Sequence, residues 1–172
     1  MANPTMTLIG SPITVGSGGV SSVTFSSIPS TYTDLLLKIN ARDSQSQVFG
    51  NPYVQFNGSS TGYTGKGFQG TGSSVSSWTA SPASAISYID ATGNTATANT
   101  FGSVELYIPN YLSSNYKSIS VDGVGENNGT LAITDLDTWL WSNTAAISSI
   151  SISDSNTILQ YSTFYLYGIS NS

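Results

Sequence analysis

The chain has 172 residues and a net charge of −5, with charged residues at only 8% and hydrophobic residues at 38%. This length suits one domain with a proper core, so the sequence predicts a single domain over residues 1–172. Cysteine and histidine are absent, which excludes disulfides and zinc sites built from these residues. The only cations are Lys38, Arg42, Lys66 and Lys117. Because nucleic-acid binding draws on clustered Lys and Arg, we expect no nucleic-acid partner.

The remaining composition favours strands over helices. Ser, Thr, Asn and Gly make up nearly half of the chain, and these residues disfavour helix interiors. The many Thr, Tyr, Val and Ile residues suit a pleated sheet. No apolar stretch approaches the ~20 residues that a membrane-spanning helix needs, and the start of the chain does not read as a secretory signal. We therefore expect no membrane association.

The first strands are bounded by clear breaks. Residues 23–25 predict a strand that ends at residues 28–30, where Pro29 cannot donate to a ladder. The clearest strand covers residues 33–42, where Leu and Ile alternate with other residues. Apolar and polar residues alternate over residues 54–56, which predicts a short strand. It is followed by Asn57-Gly58, a strong two-residue turn signal.

The pattern weakens in the middle of the chain. Residues 58–74 predict an exposed glycine-rich loop or a ragged hairpin, and residues 75–78 and 85–89 predict short strands. Residues 90–99 read as a polar loop.

Alternation returns in the second half. Strands are predicted at residues 103–108, 118–122, 149–153 and 161–167. Many short strands, each with one apolar face, predict an antiparallel β-sandwich, jelly-roll-like rather than immunoglobulin-like. The predicted core consists of Leu35, Leu37, Ile39, Leu106, Ile108, Ile119, Val121, Ile150, Ile152, Phe164 and Leu166.

Two motifs could carry chemistry. Gly65, Gly67 and Gly70 match the spacing of a dinucleotide-binding loop, but the residues that follow cannot start a helix, so a flexible loop is predicted. Asp135 and Asp137 would share a strand face, as a glycosidase pair or calcium ligands would, but a solvated face or strand edge is the favoured interpretation. A serine nucleophile would need a lysine base, and no cation sits in such a motif. We expect no enzyme activity, no metal and no cofactor.

Aromatic residues are the candidates for a binding role. Tyr161, Tyr165 and Tyr167 would share one face of the last strand. Trp139 and Trp141 are likewise two large aromatic residues spaced two apart. Three interpretations stay open: a thick core capped by tyrosines, an interface with another protein chain, or a surface that stacks on sugars. The interface hypothesis assigns all five residues to that contact.

Several stretches resemble a family of small structural proteins of tailed phages. They are Ser22–Arg42, Val54–Ser60, Phe101–Ser118, Leu140–Ile152 and Ser162–Ile169. The shared motifs are strand patterns and turns, so the resemblance implies a fold and a virion setting but no active site. A tail fibre normally has a long N-terminal stalk, whereas a strand is predicted close to the start of this chain.

The resemblance therefore implies a capsid decoration (cement) protein on the virion surface, assembled in the host cytoplasm. Its expected partners are the major capsid protein, other virion proteins and copies of itself in a homotrimer. The alternatives are a tail-fibre or receptor-binding component that contacts host glycans, and a non-viral carbohydrate-binding module.

Overall fold

A computed structural model describes residues 5–170. Within this range no helix is long and apolar enough to cross a membrane. The strands in chain order are β1 (Met6–Leu8), β2 (Ile13–Thr14), β3 (Val20–Phe25), β4 (Asp34–Ala41), β5 (Phe49–Gly50), β6 (Tyr53–Phe56), β7 (Tyr63–Thr71), β8 (Ser74–Ala83), β9 (Ala91–Thr92), β10 (Gly102–Ile108), β11 (Lys117–Glu126), β12 (Ala132–Trp141), β13 (Ile150–Ile158) and β14 (Thr163–Ile169).

The strands form two unequal sheets and one short ribbon. The large sheet has nine strands in the order β1-β14-β4-β10-β11-β12-β7-β8, with β2 also paired to β14. The small sheet has the order β3-β13-β6, and β5 pairs with β9. The paired strands run antiparallel in all three. The chain passes from the small sheet to the large one at β3–β4, β6–β7 and β13–β14. The predicted antiparallel sandwich is confirmed.

The predicted core is confirmed as well, because all eleven of its residues are buried. They lie in one hydrophobic cluster to which strands of both sheets contribute. The largest rings of this cluster meet at one end, where the Phe56 and Trp141 centroids are 5.5 Å apart and Tyr63 stacks on Trp141. The Phe56 N–H donates to the Tyr63 hydroxyl over 2.8 Å, which satisfies a polar atom inside the core.

The turn at Asn57-Gly58 is confirmed. Both residues have positive φ, 53° and 67°, and the Ser59 N–H donates to the Phe56 carbonyl over 2.9 Å. Such φ values suit Asn and Gly. The strands on either side of the turn nevertheless join different sheets, so the turn is a crossing between sheets and not a hairpin.

The glycine-rich segment forms a hairpin of two long strands, β7 and β8, so the hairpin alternative was right and the flexible loop was wrong. Its glycines make room for bulky neighbours. A Cβ at Gly65 would lie 2.5 Å from a ring atom of Trp139, and one at Gly67 would lie 2.7 Å from Trp78. The strand predicted at residues 85–89 is wrong, since only Ile86 forms a bridge there, to Val54.

Candidate functional site: the outer face of the large sheet

One side of the large sheet packs on the core, and we call the opposite side the outer face. Strand register aligns its side chains in rows across seven strands. The first row is Tyr167, Leu36, Tyr107, Ser120, Thr138, Lys66 and Thr79. The second row is Tyr165, Lys38, Glu105, Asp122, Leu136, Phe68 and Ser77. Residues from distant parts of the chain therefore form one surface.

The outer face exposes large apolar side chains. Phe68 and Leu136 lie opposite each other on β7 and β12 and are 61% and 58% exposed. Val124, Val75 and Tyr107 on neighbouring strands are exposed too. Single exposed apolar residues are ordinary, but a group of them on adjacent strands is typical of an interaction surface.

A trough crosses this face. One groove of about 610 Å³ includes Tyr107, Ser120, Thr138 and Lys66 in its lining. A second groove of about 530 Å³ shares the first three of these residues and adds Phe68. Hydroxyl groups, the rings of Tyr107 and Phe68, the Lys66 ammonium group and the carboxyl groups of Glu105 and Asp122 are therefore among the groups that line the trough.

Asp34 fixes the position of the Tyr107 ring. The Tyr107 hydroxyl donates to one Asp34 carboxylate oxygen over 2.7 Å, and the Asn110 N–H donates to the other over 2.8 Å. The hydrogen bond to Asp34 raises the pKa of Tyr107. One aromatic side chain of the trough is thus held in place by a buried acceptor.

The predicted tyrosines divide between two places. Tyr165 and Tyr167 lie half-buried on the outer face, in the second and first rows. Tyr161 precedes β14, has a φ of 73° and is 64% exposed. The prediction that all three share one strand face is therefore wrong for Tyr161. Their role as a protein interface stays a prediction.

The tryptophans do not belong to a surface. Trp139 and Trp141 are only 2% and 0% exposed, because they occupy the inner face of β12 and pack in the core. Three strands also separate β12 from β14 in the large sheet. The prediction that Trp139 and Trp141 extend the tyrosine stripe is therefore wrong.

The predicted solvated acids are buried. Asp135 and Asp137 on β12 lie on the inner face with Asp90, and the three are at most 5% exposed. Burial and then the Asp135 carboxyl group raise the pKa of Asp90 to about 9. Burial and then the charge of Asp135 raise the pKa of Asp137 to about 7. We call these three residues the carboxyl cluster.

The carboxyl cluster has few donors. Asp90 Oδ2, Asp135 Oδ1 and both oxygens of Asp137 form no direct hydrogen bond, while Gln69 Nε2 donates to Asp135 Oδ2 over 3.4 Å. The Trp78 indole only partly opposes the rise in the pKa of Asp137. Buried carboxylates without donors are costly, so the protonated forms of Asp90 and Asp137 are favoured. Across residues 5–170 no group of three or more acidic side chains has a geometry that could hold a metal ion.

A second pair of carboxyl groups, Asp43 and Asp154, is also buried. Each accepts one backbone N–H through its Oδ1, from Gln45 at 3.1 Å and Asn156 at 2.7 Å. Their Oδ2 atoms have no partner. Burial, and then the neighbouring Asp154, raise the pKa of Asp43 to about 7. Burial beside Asp154 therefore favours the protonated form of Asp43.

Two of the four cations have structural roles that the sequence did not indicate. The Arg42 guanidinium donates to the carbonyls of Thr97 and Ala96 at 2.8 and 3.0 Å. Lys117 Nζ donates to the carbonyls of Ser113 and Asn115 at 2.8 and 2.7 Å, and burial lowers its pKa. Both side chains hold loops in place.

The one ion pair found between described residues lies on the outer face. Lys38 Nζ is 2.6 Å from Glu105 Oε1, and both side chains are nearly half exposed. The contact with Glu105 raises the pKa of Lys38. An exposed pair of this kind contributes little stability. The pair nevertheless neutralises the charges of both side chains, which lie between the tyrosines of β14 and the trough.

Comparison with known proteins assigns no family. The chain matches no protein-family model and no curated protein.

Proposed function

We propose that the chain is a non-catalytic structural protein of a phage particle, a capsid decoration (cement) protein that binds neighbouring virion proteins through its outer face. The observation that carries the proposal is the cluster of large apolar side chains exposed on the outer face of the sheet. Phe68 and Leu136 form its centre, Tyr165 lies in the same row, and Tyr167 lies in the neighbouring row.

The apolar and aromatic side chains of this face suit a protein contact, because aromatic residues are enriched at protein interfaces. Four charged side chains, Lys38, Glu105, Asp122 and Lys66, also lie in the two rows, and Lys38 pairs with Glu105. A rigid core lies directly behind the face, because the alternate residues of the same strands are buried. Little ordering is then required on binding, which favours affinity.

Low charge suits a protein that is packed beside many copies of itself. Net charge far from zero makes neighbouring copies repel, and screening removes only part of this repulsion at short distance. Here 8% of residues are charged, and Lys38 and Glu105 neutralise each other. Hydroxyl groups supply most of the remaining polarity of the rows.

A tail component that contacts host glycans is the second candidate. The trough favours it, because short hydroxyl side chains can bond sugar hydroxyls while the fixed Tyr107 ring offers a stacking plane. A carbohydrate partner would need the trough, whereas a capsid partner would need the apolar residues and tyrosines around it.

The test is to change Tyr165 and Tyr167 together to Ser. Phe164 and Leu166, which carry the core side of β14, are untouched, so the domain should stay folded. Particle binding should be lost, since a well-packed interface aromatic contributes ~2 kcal/mol or more. Cosedimentation with particles measures binding, and electron microscopy with labelled protein distinguishes the capsid from the tail.

Tyr53→Ser on the small sheet is the matched control and should bind normally. A folded double variant that still decorates particles would contradict the proposal. Glycan binding that survives in this double variant but is lost in Tyr107→Ala would support the second candidate, because Tyr107 lines the trough. Unfolding, seen by circular dichroism, would show that the two tyrosines serve the core.

A further inference from the structure

Strand β8 forms an open edge of the large sheet. It spans ten residues, Ser74–Ala83, and pairs with β7 on one side only. Among residues 5–170 no other strand lies on its second side. Most of its residues are exposed, including the serines on both of its faces. An edge of this length presents a row of backbone donors and acceptors to a further strand.

The Ser74–Ala80 part of this edge lacks the usual protection against pairing, whereas an irregular register and Pro82 interrupt the last residues of the strand. Natural edge strands are kept apart by charge, proline, bulges or short length. Residues 71–89 contain no charged side chain, and Pro82 lies near the end of the strand. At the opposite edge of the sheet the strands are short, three residues in β1 and two in β2. Within residues 5–170, the β8 edge is therefore the longer of the two edges of the large sheet.

The edge is also held rigidly in place. The Trp78 ring of β8 stacks on Tyr88 with centroids 4.0 Å apart, and it lies 5.5 Å from Trp139 of the core. The register with β7 is continuous from Gly65–Ala80 to Thr71–Ser74. A strand anchored in this way is a preformed template, so little conformational entropy is lost when another strand pairs with it.

We propose that β8 is the contact between two copies of this chain, paired antiparallel edge to edge about a twofold axis. The absence of charge along the edge favours a second copy as the partner. In antiparallel self-pairing the residues near the twofold axis lie beside their own copies, so a charge there would meet a like charge. The chain carries −5 overall, yet this edge is neutral over its whole length. Pairing would join two large sheets into one, and it does not depend on the proposed virion role.

The first experiment measures self-association by sedimentation over a range of concentrations. The unmodified chain should form dimers. Val75→Lys with Ser77→Lys places four cations along a paired edge and should weaken the dimer about tenfold or more. Val124→Lys with Ser120→Lys puts the same residues on β11, inside the sheet, and should leave the dimer unchanged.

The second experiment uses the absence of native cysteine. Single cysteines at Ser74, Ser76, Ser77 and Ser81 are oxidised mildly, and at least one should link two copies and report the register, because a disulfide needs Cα atoms within ~7 Å. Cysteine at the exposed Ser103 on β10 should not. A chain that is monomeric at every concentration would overturn the proposal. So would a trimer that persists in the variant with lysines on β8 but is lost when Tyr165 and Tyr167 are changed.

Discussion

The glycines of β7 show how a residue pattern can be misread at the smallest scale. Spaced glycines at 65, 67 and 70 match a phosphate-binding loop, but in the structure they lie in a strand. Gly65 and Gly67 leave space for the Trp139, Asp137 and Trp78 side chains that lie over the strand. Glycine in a strand interior often marks such a close approach. The bulky partners come from other strands, so the sequence around the glycines does not reveal them.

This interpretation predicts different costs for two matched substitutions. Gly65→Ala would place a methyl group 2.5 Å from the Trp139 ring, so the free energy of unfolding should fall by about 1–3 kcal/mol. Gly70→Ala meets only the Thr134 methyl group at 3.2 Å, and reduced entropy of the unfolded chain offsets this contact. Denaturant titrations of both variants check the difference, and equal costs would show that Trp139 can move aside.

Buried charge was also beyond prediction from local sequence. Arg42 is 52–58 residues away from the carbonyls that it contacts, and Asp90 is far in sequence from Asp135. An isolated Asp or Arg is usually solvated, so the favoured interpretation for Asp135 and Asp137 was a solvated face. Only the order of strands in the sheet reveals that these groups meet inside the sandwich.

At the scale of elements, alternation identified strand faces well. Every predicted core residue is buried, because side chains on a strand alternate between faces with a period of two. Strand prediction failed where the pattern was broken. The glycines obscured the strand pattern of β7, and the apolar residues at 85–89, which include two Ile and a Tyr, suggested a strand where the chain forms a loop.

The face assignment predicts a contrast between two leucines. Leu37 on β4 is fully buried, so Leu37→Ala should lower the free energy of unfolding by ~2–5 kcal/mol through lost transfer energy and a cavity. Leu136→Ala on β12 is the same chemical change on the outer face and should cost no more than ~0.5 kcal/mol. Chemical denaturation measures both. A loss below about 1 kcal/mol for Leu37→Ala would contradict the face assignment.

At the scale of the molecule, sheet order determines the candidate surface. The sequence identified Tyr165 and Tyr167 but not their neighbours on the surface. Those neighbours belong to β4 and β10, which lie beside β14 in the sheet but far from it in the chain. Such long-range pairing is set by register and turn geometry across the whole chain. Phe68 was not predicted as a surface residue because it lies in the glycine-rich segment, where the strand pattern is weak. Trp139 was assigned to the surface because aromatic residues suit both cores and interfaces.

The buried carboxyl groups give the whole molecule an unusual dependence on pH. Unfolded Asp has a pKa near ~3.9. Folding raises the pKa of Asp43 and Asp137 to about 7 and that of Asp90 to about 9. At pH values between the unfolded and the folded pKa of each group, the folded state binds more protons than the unfolded state. The free energy of unfolding therefore falls as the pH rises through this range. This contribution is full below pH ~4 and is lost progressively up to pH ~9.

We therefore expect the protein to be more stable at pH 5 than at pH 7, and least stable at pH 9. A difference of one between the folded and unfolded pKa of a group changes the free energy of unfolding by up to ~1.4 kcal/mol. Asp90→Asn with Asp137→Asn keeps the neutral form at every pH, so the double variant should show a flatter dependence and exceed the unmodified chain at pH 9. Ser120→Asn, on the exposed outer face of β11, removes no titratable group and should leave the slope unchanged. Urea titrations at the three pH values measure these free energies. Stability that rises from pH 5 to pH 9 would show that these carboxyl groups are charged in the folded protein, stabilised by donors or cations that reach the interior.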